Sequence, residues 1–442
     1  MDKNELIRIL EDWNFWKKEL SSGTPREQYL ALLTKMLAQK QVLVVMGPRR
    51  SGKSFLLRQL AKQICASGIR PEQILMVNFE DPRFNQLNTQ LLDQIYETVL
   101  EFFPSTGERY IFLDEVQEIP QWEKWVNTMQ ELNKAQLIVS GSNAKLLSQE
   151  LSTLLTGRHL DITIFPLSFR EFLVFNGLHI QSEVDIVHHK ISILALLRTY
   201  IIRGSFPKVV LTPTQEEQQP LLLTYFDDSI HKDIIKRYRI RKGEKLKALA
   251  KFYFSNISSL ITFNSCGKFL DIAPETVEKF SSYLEQSYLV FFLKRFSFTL
   301  KEQEKSPRKV YAVDTGLAQT IGFRVSENWG KMMENIVFLE LQRMVVKDSR
   351  YELYYWKNAR HEEVDFVVKH NTVVEQLIQV CADMRNSKTR KREVGGLLKA
   401  MDELRVQSGL IITEDEEGEE IIEDKKIVSI PLYRWLLTEE QS

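Results

Sequence analysis

The segment that most constrains the fold of this chain is an eight-residue loop with the pattern G-x-x-x-x-G-K-S. It consists of Gly47, Pro48, Arg49, Arg50, Ser51, Gly52, Lys53 and Ser54. A short apolar strand, Gln41–Met46, precedes the loop, and we predict that a helix over Phe55–Ala66 follows it. Glycines let backbone N–H groups surround a phosphate without an obstructing Cβ, and a helix N-terminus adds partial positive charge. A chance Gly-rich turn is the alternative, but the strand–loop–helix context favours a phosphate-binding loop.

This loop predicts a nucleotide site made of residues 47–54 together with Phe55. In this chemistry the lysine, Lys53, pairs with the β- and γ-phosphates, and the hydroxyl of Ser54 is a ligand of Mg²⁺.

A second motif is the apolar run Tyr110–Leu113, which ends in the acids Asp114 and Glu115. The pattern describes a buried strand whose acids emerge at its carboxyl end, where open α/β sheets place ligands. We expect Asp114 to hold Mg²⁺ through water and Glu115 to orient or activate the attacking water. An isolated Asp-Glu pair is more often a helix cap, so the prediction depends on the loop that precedes it.

Two further candidates follow along the chain. The strand Leu137–Ser140 leads into Gly141-Ser142-Asn143, and a polar side chain here could contact the γ-phosphate or the water. We favour Ser142 or Asn143 for that role, against a turn that only caps a helix. Arg158, after Thr156-Gly157, could supply positive charge to a transferring phosphoryl group in its own or a neighbouring subunit. A structural salt bridge is an equally good explanation of Arg158.

The order of segments predicts an α/β fold. Continuous apolar strands at Gln41–Met46, Ile74–Phe79, Tyr110–Leu113 and Gln136–Ser140 alternate with helical segments. Such strands are typical of a buried parallel sheet with helices on both faces. We assign residues 1–172 to this domain.

Two more domains are predicted. Over residues 173–325, predicted helices at Phe169–Phe175, Val184–Tyr200 and Gln219–Lys236 precede three shorter ones. Those three, Lys245–Asn256, Ser265–Leu270 and Pro274–Gln286, come before two strands around a polar turn, Lys301–Arg308, which is the outline of a winged helix. Residues 326–442 read as a smaller α/β domain with an acidic loop at Glu414–Glu423.

Several segments together resemble a known family. They are GPRRSGKS, NFEDPR (Asn78–Arg83), FLDEVQEIPQWE (Phe112–Glu123), GSFPKVV (Gly204–Val210), YAVDTGL (Tyr311–Leu317), MENIVFLEL (Met333–Leu341) and EEVDFVV (Glu362–Val368). In order and spacing they resemble the prokaryotic AAA-type P-loop ATPases that carry a C-terminal domain of unknown function. The resemblance implies a P-loop NTPase domain that binds ATP, a winged-helix middle and a domain similar to restriction-endonuclease-like nucleases.

The nuclease-like domain has a defective metal motif. Nucleases of the PD-(D/E)xK type use an acid on a helix, an Asp, and then Glu-x-Lys on a strand. Glu334 and Asp365 match the first two positions, but Gln379 and Cys381 stand where Glu and Lys belong. A neutral amide is a poor ligand for a hard cation. Glu375 lies too far along its strand to replace Gln379, which leaves Asp383 as a possible substitute. We therefore expect an inactive nuclease-like domain.

Composition limits the partners and the compartment. Lys and Arg total 59 and Asp and Glu total 59, which excludes a strongly basic nucleic-acid binder but allows local patches. The stretch His231–Lys247 and the shorter Lys388–Arg392 are basic, although Glu275, Glu278 and Glu285 on the predicted recognition helix would repel phosphate. The longest apolar runs fall short of the roughly 20 residues of a membrane span. Three separated cysteines suit a reducing cytoplasm, and the scattered histidines predict no zinc site.

These observations predict a Mg²⁺-dependent ATPase that acts as a conformational switch, with an unknown protein partner and possible oligomers. The alternative is a nucleotide-stabilised nucleic-acid-binding or scaffold protein with little turnover of ATP. An intact pair of acids at Asp114 and Glu115 favours turnover.

Overall fold

The computed structural model of the chain describes residues 1–105, 107–142, 158–323 and 328–438. The contacts within the chain form two units, Met1–Ile164 and Phe165–Ser442. Among the described residues, no helix has the length and apolarity needed to cross a membrane.

The first unit is built on a five-stranded parallel sheet in the order β2-β3-β4-β1-β5. Its strands are β1 (Val42–Met46), β2 (Ile74–Asn78), β3 (Tyr110–Asp114), β4 (Gln136–Gly141) and β5 (His159–Thr163). The first four confirm the prediction of a buried parallel sheet, since nearly all of their residues are buried. The fifth was missed because it is a half-exposed edge strand and has no continuous apolar run.

Helices separate these strands along the chain: α1 (Lys3–Trp13), α2 (Glu27–Leu37), α3 (Lys53–Ala66), α4 (Thr89–Phe102) and α5 (Trp122–Glu131). Their starts follow ordinary capping chemistry. Asp2 accepts a hydrogen bond from the Glu5 amide, and Asn88 accepts one from the Leu91 amide. Helix α3 begins at Lys53, two residues before the predicted start at Phe55, so the loop lysine lies within its first turn.

A buried asparagine completes the edge strand β2. The Asn14 side chain is fully buried and donates to Met76 O at 2.9 Å and to Leu10 O at 2.8 Å. Its Oδ1 accepts from the Met76 amide at 2.7 Å. The side-chain amide of Asn14 thus pairs with the backbone N–H and C=O of Met76, as a neighbouring strand would. Without Asn14, these two buried backbone groups would lack partners.

The second unit begins with helices that lead to a small antiparallel sheet. The helices are α6 (Phe169–Phe175), α7 (Glu183–His188), α8 (Lys190–Arg203), α9 (Pro207–Val210), α10 (Gln215–Asp228), a π-helical segment (Ser229–Lys236), α11 (Gly243–Ser255), α12 (Phe263–Leu270), α13 (Pro274–Gln286), α14 (Leu300–Lys305) and α15 (Thr315–Ile321). The strands β6 (Ser259–Ile261), β7 (Val290–Leu293) and β8 (Arg308–Ala312) pair in the order β6-β8-β7.

Two predictions in this region were wrong in detail. The helix predicted over Val184–Tyr200 is two helices, α7 and α8, separated at His189, and no Gly or Pro marks that break. The predicted polar turn contains helix α14, whose start is capped when Thr299 accepts a hydrogen bond from the Glu302 amide. Thr-x-x-Glu is a helix-start signal that the turn prediction overlooked.

The C-terminal part of the second unit is a six-stranded mixed sheet in the order β13-β14-β12-β11-β10-β9. Its strands are β9 (Tyr351–Lys357), β10 (Glu363–His370), β11 (Val373–Val380), β12 (Ser408–Thr413), β13 (Gly418–Ile422) and β14 (Lys425–Pro431), and its helices are α16 (Trp329–Lys347), α17 (Ser387–Leu404) and α18 (Leu432–Thr438).

The predicted acidic loop Glu414–Glu423 was wrong in part, because β13 lies within it and pairs antiparallel with β14. Both acids of β13 form ion pairs, Glu419 with Lys426 and Glu420 with Arg390. An edge strand tolerates charges because its outer side chains face solvent, so the charge run concealed a strand.

We expect Asn14→Ala to destabilise the first unit by about 2–4 kcal/mol, because it leaves two buried backbone groups of Met76 unpaired. Urea unfolding measures the cost, and hydrogen–deuterium exchange should show loss of protection at the Met76 amide.

The matched control for this substitution is Asn4→Ala, since Asn4 is an exposed residue of α1, the helix that ends immediately before Asn14. Its effect should stay within about 0.5 kcal/mol. Equal effects of the two substitutions, or an unchanged Met76 amide in Asn14→Ala, would contradict the role assigned to Asn14.

Candidate functional site

The carboxyl ends of three adjacent strands form the candidate site of the first unit. Strand β4 lies between β1 and β3, and Met46 at the end of β1 is level with Gly141 of β4. The loop 47–54 follows β1, and Asp114 ends β3. Parallel strands direct their carboxyl ends to one edge, where open α/β sheets bind ligands.

The loop has the backbone that its glycines permit. Gly47 has φ +144°, and a Cβ there would lie 2.2 Å from the carbonyl oxygen of Ile164. Gly52, the residue before α3, is left-handed with φ +99°. Both positions exclude an ordinary side chain, so the loop can turn tightly into the N-terminus of α3.

The side chains of Lys53 and Ser51 provide hydrogen-bond donors that suit an anion bound inside the loop. The Lys53 side chain is 4% exposed, and its Nζ donates to Gly47 O at 3.0 Å and to Pro48 O at 3.1 Å. Ser51 Oγ is buried without a hydrogen-bond partner among the described residues. The ammonium group and the unpaired hydroxyl are donors that phosphate oxygens would satisfy, so the loop fits a nucleotide.

Asp114 is the centre of a buried polar cluster. It accepts hydrogen bonds from the hydroxyls of Ser140 and Ser54 and, at 3.4 Å, from Asn78 Nδ2. Burial and the neighbouring charge of Glu115 raise the pKa of Asp114, while these hydroxyls and Lys53 act in the opposite direction. A carboxylate beside the Ser54 hydroxyl is a set of oxygen ligands that Mg²⁺ prefers, so the residues fit that ion.

Glu115 is held in place by its backbone and by two neighbours. Its φ of +53° is left-handed, which is uncommon for a residue other than glycine or asparagine. Gln117 Nε2 donates to Glu115 Oε2 at 2.6 Å, and Glu115 Oε1 lies 3.7 Å from Lys53 Nζ. The backbone amide of Glu115 donates to Ser140 Oγ at 3.4 Å. The structure therefore brings together Lys53, Asp114 and Glu115.

The remaining loop residues differ in exposure. Pro48 is buried, Arg50 is exposed with φ +65°, and Arg49 forms an ion pair with Glu80. Phe55 is 45% exposed, and Arg58 lies over its ring at 5.4 Å from the centroid.

Two other predicted residues are not in this cluster. Asn143 lies outside the described residues, and Ser142 is buried immediately after β4. Arg158 lies at the opposite edge of the sheet, because its carbonyl oxygen accepts from the amide of Val42, the first residue of β1. Four residues at ~3.3 Å each put that end about 13 Å from the loop. The Arg158 side chain pairs with Glu131 at 2.8 Å, so it does not reach the phosphate site of its own chain.

Sequence reasoning missed Asn78, Ser140 and Arg26. Asn78 and Ser140 lie at or near the carboxyl ends of β2 and β4, so the rule that identified Asp114 could have found them. Arg26 supports the loop from outside by donating to Ser51 O at 2.9 Å, and no local pattern indicates that contact.

The acids predicted in the C-terminal domain form a second cluster. Glu334, Asp365 and Gln379 line one cleft of about 390 Å³ together with Glu363 and Glu393. The backbone amide of Asp365 donates to Gln379 Oε1 at 3.2 Å, and Gln379 Nε2 donates to Glu393.

The other residues considered for the nuclease motif do not line this cleft. Cys381 is buried and lies 3.4 Å from Asp383 O, and burial with the nearby charge of Glu393 raises the pKa of its thiol to about 11. Glu375 pairs with His370 at 3.1 Å, and Asp383 pairs with Arg385 at 3.2 Å.

The cluster also contains a residue that the sequence did not indicate. Lys309 of β8 extends its ammonium to Glu334 at 3.0 Å and to Asp365 at 2.7 Å. It also contacts Glu363 at 2.8 Å.

Three segments of the chain match models of known protein families. Residues 39–173 match a family model described as an AAA domain. Residues 194–327 and 329–433 match two different families described as domains of unknown function.

Relatives and solved structures are also known. An uncharacterized protein of Methanocaldococcus jannaschii is 29% identical over 91% of this chain and 89% of its own length. An uncharacterized protein of Haemophilus influenzae is 32% identical over 72% of this chain and 78% of its own length. The Walker-type ATPase of Pyrococcus abyssi is 12% identical, with a TM-score of 0.45, over 67% of this chain and 95% of that structure.

The match to the AAA domain covers the loop at Gly47–Ser54 and both acids that follow the apolar run of β3. The relative from Haemophilus influenzae exceeds 30% identity over most of its length. The chain therefore belongs to the AAA-type P-loop ATPases that carry C-terminal domains of unknown function.

Proposed function

We propose that this protein binds ATP with Mg²⁺, hydrolyses it and acts as a nucleotide-driven conformational switch. The observation that carries the proposal is the convergence of Lys53, Ser54, Asp114 and Glu115 at the carboxyl edge of one parallel sheet. These are the groups that phosphoryl transfer to water requires: a cation for phosphate, oxygen ligands for Mg²⁺ and a carboxylate for the nucleophile. The choice of ATP over GTP rests on the family resemblance.

The first step assigned to the chain is phosphate binding. Lys53 exchanges its hydrogen bonds to Gly47 O and Pro48 O for phosphate oxygens, and the unpaired Ser51 hydroxyl gains a partner. Ser54 and Asp114 hold Mg²⁺, which neutralises charge on the β- and γ-phosphate oxygens when it is bound. The hydroxyl of Ser140 orients Asp114 for this task.

The second step is activation of water. Glu115 accepts a proton from the attacking water at its carboxylate, while Gln117 fixes the orientation of that carboxylate. Asn143 or Ser142 contacts the γ-phosphate or the water. Arg158 would act only on the nucleotide of a neighbouring copy.

The switch itself is assigned by analogy with the family. In this proposal, residues 173–325 form a winged-helix-like domain, and residues 326–442 form an inactive nuclease-like domain. Hydrolysis would alter how these two domains pack against the ATPase domain, residues 1–172.

A second candidate function is nucleic-acid binding by a nucleotide-stabilised scaffold. The observation in its favour is a group of exposed cations in the basic stretch: Lys236, Arg239, Arg241 and Lys242. None of the four forms an ion pair or side-chain hydrogen bond among the described residues. Exposed, unpaired cations of this kind are what a phosphate backbone would contact.

The ATPase proposal predicts that Lys53→Ala and Glu115→Gln each lower phosphate release from Mg·ATP by at least about 100-fold. Lys53→Ala should also lose ATP binding, because it removes the phosphate-binding cation, whereas Glu115→Gln should keep it. Steady-state phosphate release and equilibrium binding of ATP measure the two effects.

Lys62→Ala on α3 and Glu101→Gln on α4 are the matched controls, since both side chains are more than half exposed. They should hydrolyse ATP at the wild-type rate. Undiminished turnover in Glu115→Gln would contradict its assignment as the base, and a wild type that binds ATP without hydrolysing it would favour the scaffold.

Ser140→Ala tests the support of Asp114. We expect a roughly 3- to 10-fold rise in the Mg²⁺ concentration that gives half-maximal hydrolysis, because the carboxylate loses a hydrogen bond to a charged group worth ~1.5–3 kcal/mol at most. Magnesium titrations of the hydrolysis rate measure it. Ser67→Ala is the control, since Ser67 follows the C-terminus of α3, far from the loop. An unchanged magnesium requirement in Ser140→Ala would contradict the role assigned to Ser140.

The scaffold alternative predicts salt-dependent binding of duplex DNA that needs Lys236, Arg239, Arg241 and Lys242. Replacing all four by alanine should weaken binding and reduce the slope of log K against log salt by about 0.9 for each phosphate that the variant no longer neutralises. Fluorescence anisotropy at several salt concentrations measures both quantities.

The charge-matched control replaces four lysines that are paired with carboxylates, namely Lys17, Lys18, Lys40 and Lys62. An equal loss of DNA affinity in both variants would point to net charge and against a defined surface on the basic stretch.

A further inference from the structure

The C-terminal acid cluster already contains a cation, the ammonium group of Lys309. Its side chain is 2% exposed, and its Nζ lies 3.0 Å from Glu334, 2.8 Å from Glu363 and 2.7 Å from Asp365. These distances are those of charge-assisted hydrogen bonds between a buried ammonium and three carboxylates. The cluster therefore differs from a set of acids that await an external ion.

Other hydrogen bonds in the cluster orient the same carboxylates. Tyr311, two residues after Lys309 on β8, donates to Glu334 Oε1 at 2.7 Å. The amide of Val380 donates to the second oxygen of Asp365 at 2.9 Å, and Lys357 donates to the second oxygen of Glu363 at 2.9 Å. Each of the three acids thus has a second partner in addition to Lys309.

Lys309 cannot easily leave its place, because its backbone lies in the central strand of a sheet. It is level with Leu260 of β6 on one side and Leu293 of β7 on the other. The chain beyond β7 continues directly onto the C-terminal sheet, where Phe296 N donates to Tyr355 O and Tyr355 N donates to Lys294 O at 3.0 Å. Backbone pairing therefore holds β8 against the sheet that carries Asp365.

Cationic side chains of the protein already face these acids. Lys309 contacts all three, and Lys357 also contacts Glu363 at 2.9 Å. Burial and the charge of Asp365 raise the pKa of Glu334, while Lys309 and the Tyr311 hydroxyl act in the opposite direction.

We propose that the Lys309 ammonium is the permanent resident cation of this cluster, in the place that a metal ion takes in a nuclease of this kind. The C-terminal cleft then takes no divalent cation, and β8 is joined to the C-terminal sheet by a buried ion-pair network. In this arrangement Glu334, Glu363 and Asp365 bind Lys309 in place of an external ion. This proposal does not depend on ATP hydrolysis in the first unit.

The test measures Mn²⁺ binding to the full chain in the absence of nucleotide. Electron paramagnetic resonance reports the concentration of Mn²⁺ that stays free. All samples carry Asp114→Asn, so that the first unit contributes no metal. In chains that keep Lys309, we expect no Mn²⁺ binding that is lost on Asp365→Asn. Lys309→Met keeps the length of the side chain and removes its charge, and it should bind one Mn²⁺ per chain.

Two further variants make the result specific. Adding Asp365→Asn to Lys309→Met should abolish the Mn²⁺ binding. Lys305→Met, an exposed residue of the helix that precedes β8, is the matched control and should bind none. The proposal is overturned if the chain with Lys309 binds Mn²⁺ and loses it on Asp365→Asn, or if folded Lys309→Met binds no Mn²⁺.

Thermal unfolding tests the ion-pair network separately, and it decides the matter if Lys309→Met folds but is too unstable for the Mn²⁺ measurement. Removing one charge of a buried pair leaves the other unpaired, whereas removing both restores the balance. The double variant Lys309→Met/Asp365→Asn should therefore melt at a higher temperature than Lys309→Met. A double variant no more stable than Lys309→Met would contradict the ion-pair network.

Discussion

Parallel strand pairing in the order β2-β3-β4-β1-β5 is the constraint on which the chemistry of the first unit depends. It directs every carboxyl end to one edge and places β4 between the strand of the loop and the strand of the acids. Groups that lie 61 to 87 positions apart in the chain, from Lys53 to Asp114 and Ser140, then meet in one polar cluster. The loop glycines let the chain turn sharply after β1, so that the N-terminus of α3 lies next to this edge.

Lys53 of the first unit and Lys309 of the second are both buried. Their hydrogen-bond partners differ, and the difference bears on what each lysine can bind. Burying an ammonium is costly unless it is paired and hydrogen-bonded. Lys53 is held by two backbone carbonyls and by a carboxylate at 3.7 Å, all of which phosphate oxygens can replace. Lys309 has three carboxylates at 2.7–3.0 Å, and no incoming anion could improve on them. The first lysine is suited to binding a ligand and the second to a permanent network.

The elements that could be predicted are those whose environment is uniform along their length. β1, β3 and β4 are buried on both sides, so a continuous apolar run identified each of them. The edge strands β5 and β13 were missed because one side of each is exposed, which permits charged residues and removes the signal. Helix α14 was missed because its start is signalled by a cap, Thr299, in a segment interpreted as a polar turn.

The sequence by itself determined the glycine-rich loop and the acids at the end of β3, and it showed Gln379 and Cys381 at the positions where a PD-(D/E)xK motif would require Glu and Lys. Each of these is a local pattern whose chemistry follows from residue type and spacing. Only the tertiary structure decided that Asn14 pairs with β2, that Arg158 lies at the edge of the sheet opposite the loop, and that Lys309 fills the acid cluster. The reason is physical: a side chain's partner across distant segments is set by how whole elements pack, and no short stretch of sequence records that packing.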